Sequence, residues 1–260
     1  MGSLWKATAA VCAALALCAV AAVFVFPDQI AERFLTPAQG EVQGGPQFLL
    51  EVEPGDMAMD RAIVETIEII KRRLYELGGA TAVVRQEGAN RIVIQVPPSQ
   101  DARRFLEVAT RPGKLEFRLI DTSILAQQAL QRGAPAASEI LYGPDKAPYL
   151  IEKRVILSGR DLRDAQPAFD QRTNEPIVTF RFNPSGTRRF AQATQENVGK
   201  AFAIVFDGEV VSAPVIREPI LGGSGQISGN FTVQGASDLA LLLRSGELPA
   251  RLKVIEQRAQ

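Results

Sequence analysis

The chain has 260 residues, with 29 basic and 29 acidic side chains, no histidine and two cysteines. Apolar residues make up 46% of it, which is typical of globular proteins and argues against a disordered chain. Without histidine the chain has no Ser-His-Asp site, no Cys-His site and no histidine-ligated metal. Zero net charge argues against general nucleic-acid binding. The composition therefore favours a binding or mechanical protein over an enzyme.

The N-terminal segment has the composition of a membrane-spanning helix. Residues 7–26 form an uncharged run of 20 residues, which as a helix spans about 30 Å, the thickness of a bilayer core. Lys6 precedes the run and the first acidic residue, Asp28, follows it, so the positive-inside rule predicts a cytoplasmic N-terminus and an exported remainder. We expect residues 1–27 to be an uncleaved anchor that contacts the lipid bilayer through residues 7–26.

A cleaved secretory signal is the alternative interpretation of this segment. Ala19-Val20-Ala21 is a small-x-small motif, but the apolar run continues past it to Phe26, beyond the usual length of a signal's apolar stretch. Both cysteines, Cys12 and Cys18, lie inside the run and are expected to be small apolar helix residues. The exported part has no cysteine, so its core alone must stabilise it.

Residues 28–46 are rich in glycine and proline and are predicted to be a linker. A strand at 48–53 follows, and then Ile63, Ile67, Ile70, Leu74 and Leu77 recur at helical spacing. Asp56 or Asp60 is expected to cap this helix and Gly78-Gly79 to end it. The pattern continues with strands at 81–85 and 91–96, a short helix opened by Asp101 and a strand at 114–120. This β-α-β-β-α-β order is ferredoxin-like.

The second half is predicted to continue as an α+β fold with largely antiparallel sheets. Its expected elements are a loop at 122–148 with one short helix, strands at 154–157 and 177–182, a helix from Asn183 to Val198, a hairpin at 201–212 turning at Asp207-Gly208, short strands at 226–228 and 231–233, a helix at 236–245 with Gly246 as a left-handed cap, and a strand at 252–255.

Five short motifs are candidate functional sites, and none of them predicts catalysis or ligand binding. Gly222–Gly225 lacks the Gly-Lys-Ser/Thr of a phosphate-binding loop and is expected to be a flexible loop. Asp161 and Asp164 suit a solvated turn or a helix cap, and Asn230-Phe231-Thr232 is a glycosylation sequon of a kind that arises by chance. Arg72-Arg73 and Arg103-Arg104 are predicted to lie on solvated helix faces. No catalytic, cofactor-binding or metal-binding residue is predicted, and no cofactor.

Longer strings carry a family resemblance. They are Gly88 with Arg91–Pro97, Leu115–Arg118, Asn197–Ile216, Gly225–Thr232 and Leu239–Ala250. Together these strings closely resemble SecD, a bacterial preprotein-translocase subunit whose first transmembrane helix precedes a large periplasmic domain. The resemblance runs from about Gly44 to Arg258.

The resemblance implies a ferredoxin-like base with an inserted, mobile α+β head. It maps the base onto 47–112 and 236–260 and the head onto 113–235, which competes with the consecutive β-α-β-β-α-β interpretation. The chain departs from the family at Gly40–Gly45, which keeps the glycines of a Gly-Leu-Asp-Leu-x-Gly-Gly stretch but loses its Leu-Asp-Leu core. It also ends at Gln260, before the family's further transmembrane helices and their proton path, so it is expected to be part of a longer protein or a shortened relative.

The implied function is assistance to protein export at the bacterial inner membrane. The head would bind emerging unfolded preprotein on the periplasmic side, and proton-motive force would drive its movement in the full-length protein. The partners implied are SecF, the SecYEG channel and YajC, with no nucleic acid. The alternatives are a signal-anchored periplasmic ligand-binding or regulatory domain and an exported hydrolase, the latter disfavoured by the missing histidine and nucleophile motif.

Overall fold

The computed structural model describes residues 44–53, 55, 57–98 and 101–258. The predicted anchor at 1–27 and most of the predicted linker at 28–46 lie outside these residues. Within the described part of the chain, no helix is both long and apolar enough to cross a membrane. The helices are α1 (Met59–Glu76), α2 (Ala102–Thr110), α3 (Ala126–Arg132), α4 (Pro184–Glu196) and α5 (Val233–Ser245). The strands are β1 (Gln47–Val52), β2 (Val83–Glu87), β3 (Arg91–Gln95), β4 (Leu115–Leu119), β5 (Ser138–Tyr142), β6 (Pro148–Glu152), β7 (Leu157–Ser158), β8 (Leu162–Phe169), β9 (Pro176–Phe182), β10 (Phe202–Phe206), β11 (Glu209–Ser212), β12 (Ser224–Ile227) and β13 (Leu252–Arg258).

The first sheet joins strands from both ends of the described chain. It is antiparallel, in the order β13-β1-β3-β2. The register of its outer pair places Gln47 opposite Arg258 and Val52 opposite Leu252. Helices α1 and α2 pack against the sheet and form with it one hydrophobic cluster, which we call the first cluster. The sheet is therefore completed only when the chain returns to it as β13.

Helix α1 follows the predicted apolar stripe. Ile63 and Ile70 are fully buried and Leu74 nearly so, because residues three and four apart share the helix face that meets the sheet. The predicted caps differ in detail. The N-cap is Ala58, Asp60 lies in the first turn, and Asp56 lies outside the described residues. An acidic residue in the first turn still interacts favourably with the helix dipole.

The second and third sheets form the rest of the fold. The second has the order β6-β5-β11-β10-β4-β7 and the third the order β12-β9-β8, and all of their pairings are antiparallel except that of β11 with β5. Both sheets, α4 and α5 contribute to a second, larger cluster. The predicted α+β class with mostly antiparallel sheets is confirmed.

Strand β10 is buried on both faces of the second sheet. Phe202, Ile204 and Phe206 point into the second cluster, whereas Ala203 and Val205 join a small third cluster on the opposite face. The hairpin from β10 to β11 turns at the predicted residues, with φ of +50° at Asp207 and +85° at Gly208. Two positive φ angles are typical of the type I′ turn, whose twist matches that of antiparallel strands.

Several predicted elements need correction. Strand β4 pairs with β10 and β7 in the second sheet, so the consecutive interpretation, in which it completes the first sheet, is wrong. The expected strand at 154–157 is replaced by β6, which ends at Glu152, and by β7, which begins at Leu157. The expected strand at 231–233 is absent because Thr232 caps α5: its Oγ1 accepts a hydrogen bond from the Gly235 amide at 2.9 Å.

Besides β6, strands β5 and β8 were missed, and one cap has a different conformation. Strand β5 lies in the predicted loop at 122–148, and β8 follows Asp161. In β8 only Ala165 is fully buried, and neither strand shows a clear alternation of buried and exposed residues. Helix α5 ends at Gly246 with φ of +89° and ψ of 170°, which is a glycine-specific conformation but not the left-handed helical one.

Candidate functional site

Five phenylalanines meet where the second and third sheets pack together. They come from β4, β9, α4 and β10, and their ring centroids lie 5.0–6.5 Å apart in tilted, edge-on or stacked pairs. We call Phe117, Phe180, Phe182, Phe190 and Phe202 the phenylalanine cluster. Such ring pairs contribute about 0.5–1.5 kcal/mol each beyond the area they bury.

A cavity of about 350 Å³ opens beside these rings. Its wall is formed by four rings of the cluster and by Ile204, and its rim by residues 214–218, Ile220, Gly225 and Gln226. At the rim Val215 is 55% exposed, and Leu221, next to Ile220, is 68% exposed. Among the lining residues only Arg217 and Glu218 are charged. We call this the phenylalanine cavity; its chemistry suits apolar side chains.

The rim is held in place by hydrogen bonds to α4 and β10. The Ile220 amide donates to Oγ1 of Thr194, a fully buried residue of α4, at 2.9 Å. The Phe202 amide donates to the carbonyl of Pro214 at 2.9 Å, which ties the opposite side of the rim to β10. The cavity mouth is thus formed by an ordered segment.

The glycine-rich motif contributes to the same cavity. Gly222 lies in a turn, Gly223 in a bend, and Ser224 begins β12, so the expected flexible loop is instead a turn and an edge strand. Gly225 lies against the ring of Phe180, where an added Cβ would come within 2.7 Å of the ring's Cζ. A glycine is therefore required there by close packing.

Asp161 and Asp164 do not form a common acidic site. Asp161 is buried and closes a capping box with Ser158, whose amide donates to Asp161 Oδ2 at 2.9 Å, and it is ion-paired with Arg189. Asp164 lies in β8, where its carboxylate accepts from the amide of Ala165. Both acids therefore have structural roles.

The remaining motifs also have structural roles. Asn230 lies in the bend before α5, and Thr232 is that helix's cap. Arg103 is exposed as predicted, and Arg104 pairs with Asp238 at 2.8 Å. The prediction for Arg73 is wrong, because its side chain is fully buried. A helical wheel signals this, since Arg73 lies three residues after Ile70 and thus on the apolar side of α1.

A polar crevice of about 710 Å³ lies between the second sheet and the segments that flank the first, which are Glu53, Gly55 and residues 247–251. Both signs of charge line it, including Lys114, Glu116, Arg118 and Glu247. Lys114 pairs with Glu116 at 2.7 Å, so part of this charge is already compensated. The crevice therefore offers little to an apolar ligand.

Glu247 in this crevice gives a pH-dependent prediction. Burial raises its pKa above the ordinary 4.5, against the opposing effect of Lys114 and Arg160, while Glu116 and Asp207 raise it further. The folded state then binds a proton more readily than the unfolded state, so stability falls as pH rises from the ordinary pKa through the raised one. We expect Glu247→Gln to stabilise the protein at neutral pH and to lose that advantage near pH 4. Urea unfolding at the two pH values tests this, with the exposed Glu65→Gln as control; an advantage that is equal at both pH values contradicts it.

Two family descriptions match the chain. "Protein translocase subunit SecDF, P1 domain, N-terminal" matches residues 63–122, and "SecDF, P1 head subdomain" matches residues 138–250. A solved structure described as "Structure and function of a membrane component SecDF that enhances protein export" is 35% identical with a TM-score of 0.67, over 82% of this chain and 100% of that one. This chain belongs to the SecD family.

Curated SecD proteins extend the comparison. The protein translocase subunit SecD of Rickettsia bellii is 38% identical over 77% of this chain and 39% of its own length, and that of Acetobacter pasteurianus is 42% identical over 76% and 38%. The crystal structure of SecDF in a super-membrane-facing form covers 94% of this chain and 35% of its own, with 30% identity and a TM-score of 0.70. The chain thus spans about two fifths of the length of the SecD relatives that it matches.

The residue ranges of the two family matches correspond to different elements of the structure. The match to the P1 N-terminal description covers most of α1, β2, β3 and α2 and extends through β4. The match to the P1 head description begins at β5 and includes the five phenylalanines except Phe117, together with all of α5. The phenylalanine cavity is therefore built by residues of both matches.

Sequence reasoning missed this cavity. Its phenylalanines are spread from position 117 to 202, and a buried ring and a cavity-lining ring look alike in a sequence. The one local signal was the pair Phe180 and Phe182, two residues apart on a predicted strand and therefore on the same face.

Proposed function

We propose that this chain is the preprotein-handling region of a Sec protein-export accessory subunit, and that it has no catalytic role. The observation that carries the proposal is the phenylalanine cavity, an apolar site with an ordered rim in a protein of the SecD family. Unfolded polypeptides expose apolar side chains that folded proteins bury, so such a cavity distinguishes an emerging chain from a folded one.

We propose the division into a base and an inserted head that the resemblance implied. Along the chain, the elements of this part are β1, α1, β2, β3, α2 and, after the head, β13. This succession and the strand order β13-β1-β3-β2 support a ferredoxin-like base. Leu239 to Leu243 of α5 lie in the second cluster, whereas Leu248 lies in the first. We therefore assign 47–112 and 247–258 to the base and 113–246 to the head, which moves α5 from the predicted base into the head.

The head is the part that binds preprotein in this proposal. Val215 at the rim and Leu221, the neighbour of the rim residue Ile220, are exposed apolar side chains beside the cavity, whereas the polar crevice is lined by many charged side chains. An unfolded chain that passes over the rim inserts an aromatic or aliphatic side chain into the cavity. The cavity is expected to bind apolar side chains from many different sequences, because the hydrophobic effect is non-directional.

The same proposal includes the location of the chain and its partners. Residues 7–26 anchor the chain in the bacterial inner membrane, with the N-terminus in the cytoplasm and the head in the periplasm. In the longer protein, SecF, the SecYEG channel and YajC are the partners, and proton-motive force drives the head so that bound preprotein does not slide back. Family membership supports these assignments.

A binding measurement on the full chain in lipid nanodiscs tests the proposal. The probe is a fluorescently labelled, permanently unfolded polypeptide, and the variant is Val215→Ser with Leu221→Ser. Each substitution removes contacts worth about 1 kcal/mol at about 25 cal/mol per Å² of apolar area, so we expect affinity to fall by about tenfold or more.

The matched control changes the same residue types at sites with similar exposure. Val64 on α1 is 61% exposed and Leu125 before α3 is 67% exposed, against 55% and 68% at the rim. Val64→Ser with Leu125→Ser is expected to leave affinity within about twofold. Equal losses in both double variants, or equal binding of a labelled folded protein of similar length, would contradict capture at the cavity.

A further inference from the structure

In the division proposed above, on which this inference rests, the base and the head are joined by two connections that run side by side. The first connection is Arg111–Lys114 and the second is Ser245–Leu248. The Leu248 amide donates to the carbonyl of Pro112 at 2.8 Å, so the two are hydrogen-bonded to each other. Each also contains a glycine with positive φ, +78° at Gly113 and +89° at Gly246.

The guanidinium of Arg73 lies where these connections meet. Arg73 belongs to α1 and is fully buried. It donates hydrogen bonds to the end of α2, to the first connection and to the second. The acceptors are the carbonyls of Val108 at 3.1 Å, Ala109 at 3.3 Å, Arg111, Pro112 at 3.3 Å and Gly246 at 2.7 Å, and Oγ of Ser245 at 3.1 Å.

All of these acceptors are neutral oxygens. Two helices, α2 and α5, end at this point, and their last carbonyls carry the negative end of each helix dipole. Burial lowers the pKa of Arg73 to about 10, with Asp207 acting in the opposite direction, so the guanidinium is still charged at neutral pH. The backbone carbonyl groups at the end of α2 and in the two connections therefore compensate most of the charge on Arg73.

The guanidinium of Arg73 packs so closely against Gly113 that no side chain fits at that position. A Cβ added at Gly113 would lie 2.7 Å from Arg73 Nη2 and 3.3 Å from the carbonyl oxygen of Gly246. The glycine is thus required both by its backbone conformation and by the approach of the guanidinium. A planar fork with five donors reaches both connections at once, which a lysine ammonium cannot do in the same geometry.

We propose that Arg73 holds the head in the orientation relative to the base that the structure shows, by binding both connections to helix α1, so that a driven movement of the head has to break or rearrange these hydrogen bonds. Without its guanidinium, two adjacent glycine-containing segments would be held by Leu248–Pro112, by Arg72 on the Ser245 carbonyl and by ion pairs such as Arg104–Asp238. Apart from Val108 and Leu77, base residues that contact the second cluster, base and head have separate hydrophobic clusters. We therefore expect both to stay folded while their relative orientation becomes more variable.

Distances between two spin labels test this in the full chain in nanodiscs. One label is placed on the base through Lys253→Cys and one on the head through Gln171→Cys, both exposed, with Cys12→Ala and Cys18→Ala so that no other site is labelled. Arg73→Met is expected to widen the distance distribution at least twofold while far-UV circular dichroism is unchanged. Arg61→Met, at an exposed site on the same helix, is the control and should leave the distribution narrow.

A second pair of variants separates the role of Arg73 from loss of folding. Gly113→Ala keeps the arginine but displaces its guanidinium, whereas Gly88→Ala introduces the same strain at φ of +72° with no atom within 4 Å of the new Cβ. We expect a wider distribution for the first and an unchanged one for the second. Distributions as narrow in Arg73→Met and Gly113→Ala as in their controls would overturn the proposal. If Arg73→Met fails to fold, the Gly113→Ala and Gly88→Ala pair decides alone.

Discussion

Replacing Phe117 by alanine is expected to lower the free energy of unfolding by about 3–5 kcal/mol, the usual cost of removing a buried aromatic ring. Phe117 is fully buried and its ring contacts four others, those of Phe180, Phe182, Phe190 and Phe202. These neighbours belong to two sheets and a helix, so they cannot all move inward to fill the space. Urea unfolding followed by circular dichroism measures the loss as a lower midpoint at an unchanged slope.

Phe169→Ala is the matched control for this prediction. Phe169 ends β8 and is 52% exposed, so its removal leaves little cavity and should change stability by no more than about 0.5 kcal/mol. Phe117→Leu should fall between the two, because it keeps part of the buried volume. A loss at Phe117 no larger than the loss at Phe169 would show that the rings do not form a common core.

Leu50→Ala is expected to have the second largest effect, about 2–5 kcal/mol, with its consequences concentrated in the first sheet. Leu50 lies in the middle of β1, is fully buried and belongs to the first cluster. Leu77 packs against both the first and the second cluster, so the two cores touch but are largely separate. Hydrogen exchange should therefore show that amides of β1 and β3 lose protection before those of β4 and β10.

Val254→Ala provides the comparison on the neighbouring strand. Val254 is opposite Leu50 in the register of β13 with β1, yet it is 43% exposed. Its truncation should cost less than about 1 kcal/mol and leave exchange in the first sheet nearly unchanged. If Leu50→Ala instead lowers protection equally in the first and second sheets, the two clusters unfold as one cooperative unit.

The elements predicted correctly are those specified by neighbouring residues. The stripe of α1, the Asp207-Gly208 turn and the caps at Asp101 and Asn183 each depend on a few residues of local sequence. The pairing of strands, in contrast, does not depend on local sequence alone. β4 has a strand-like sequence whichever sheet it joins, and its main partner, β10, lies far along the chain. The consecutive interpretation failed for this reason.

The predictions about sites were limited in a similar way. Arg73 has the charge of a surface residue. Its place on the helical wheel indicates the apolar side of α1, but the carbonyl groups that stabilise it there lie on two distant chain segments, which no local pattern predicts. Strand β8 was missed because only Ala165 of its eight residues is buried, so its sequence has no regular apolar face. The phenylalanine cavity depends on which rings pack fully and which line a gap, and that difference arises from tertiary packing.

The pairing of β13 with β1 also bears on the modular architecture of the chain. Gln47 and Arg258 are register partners, so the segment between them enters and leaves the fold about 5 Å apart. The inner segment does the same, because Pro112 and Leu248 are hydrogen-bonded where it begins and ends. In the proposed division, the head is thus an insertion in the base whose two ends are already adjacent. An insertion of this kind can change in length without changing the pairing of β1 with β13.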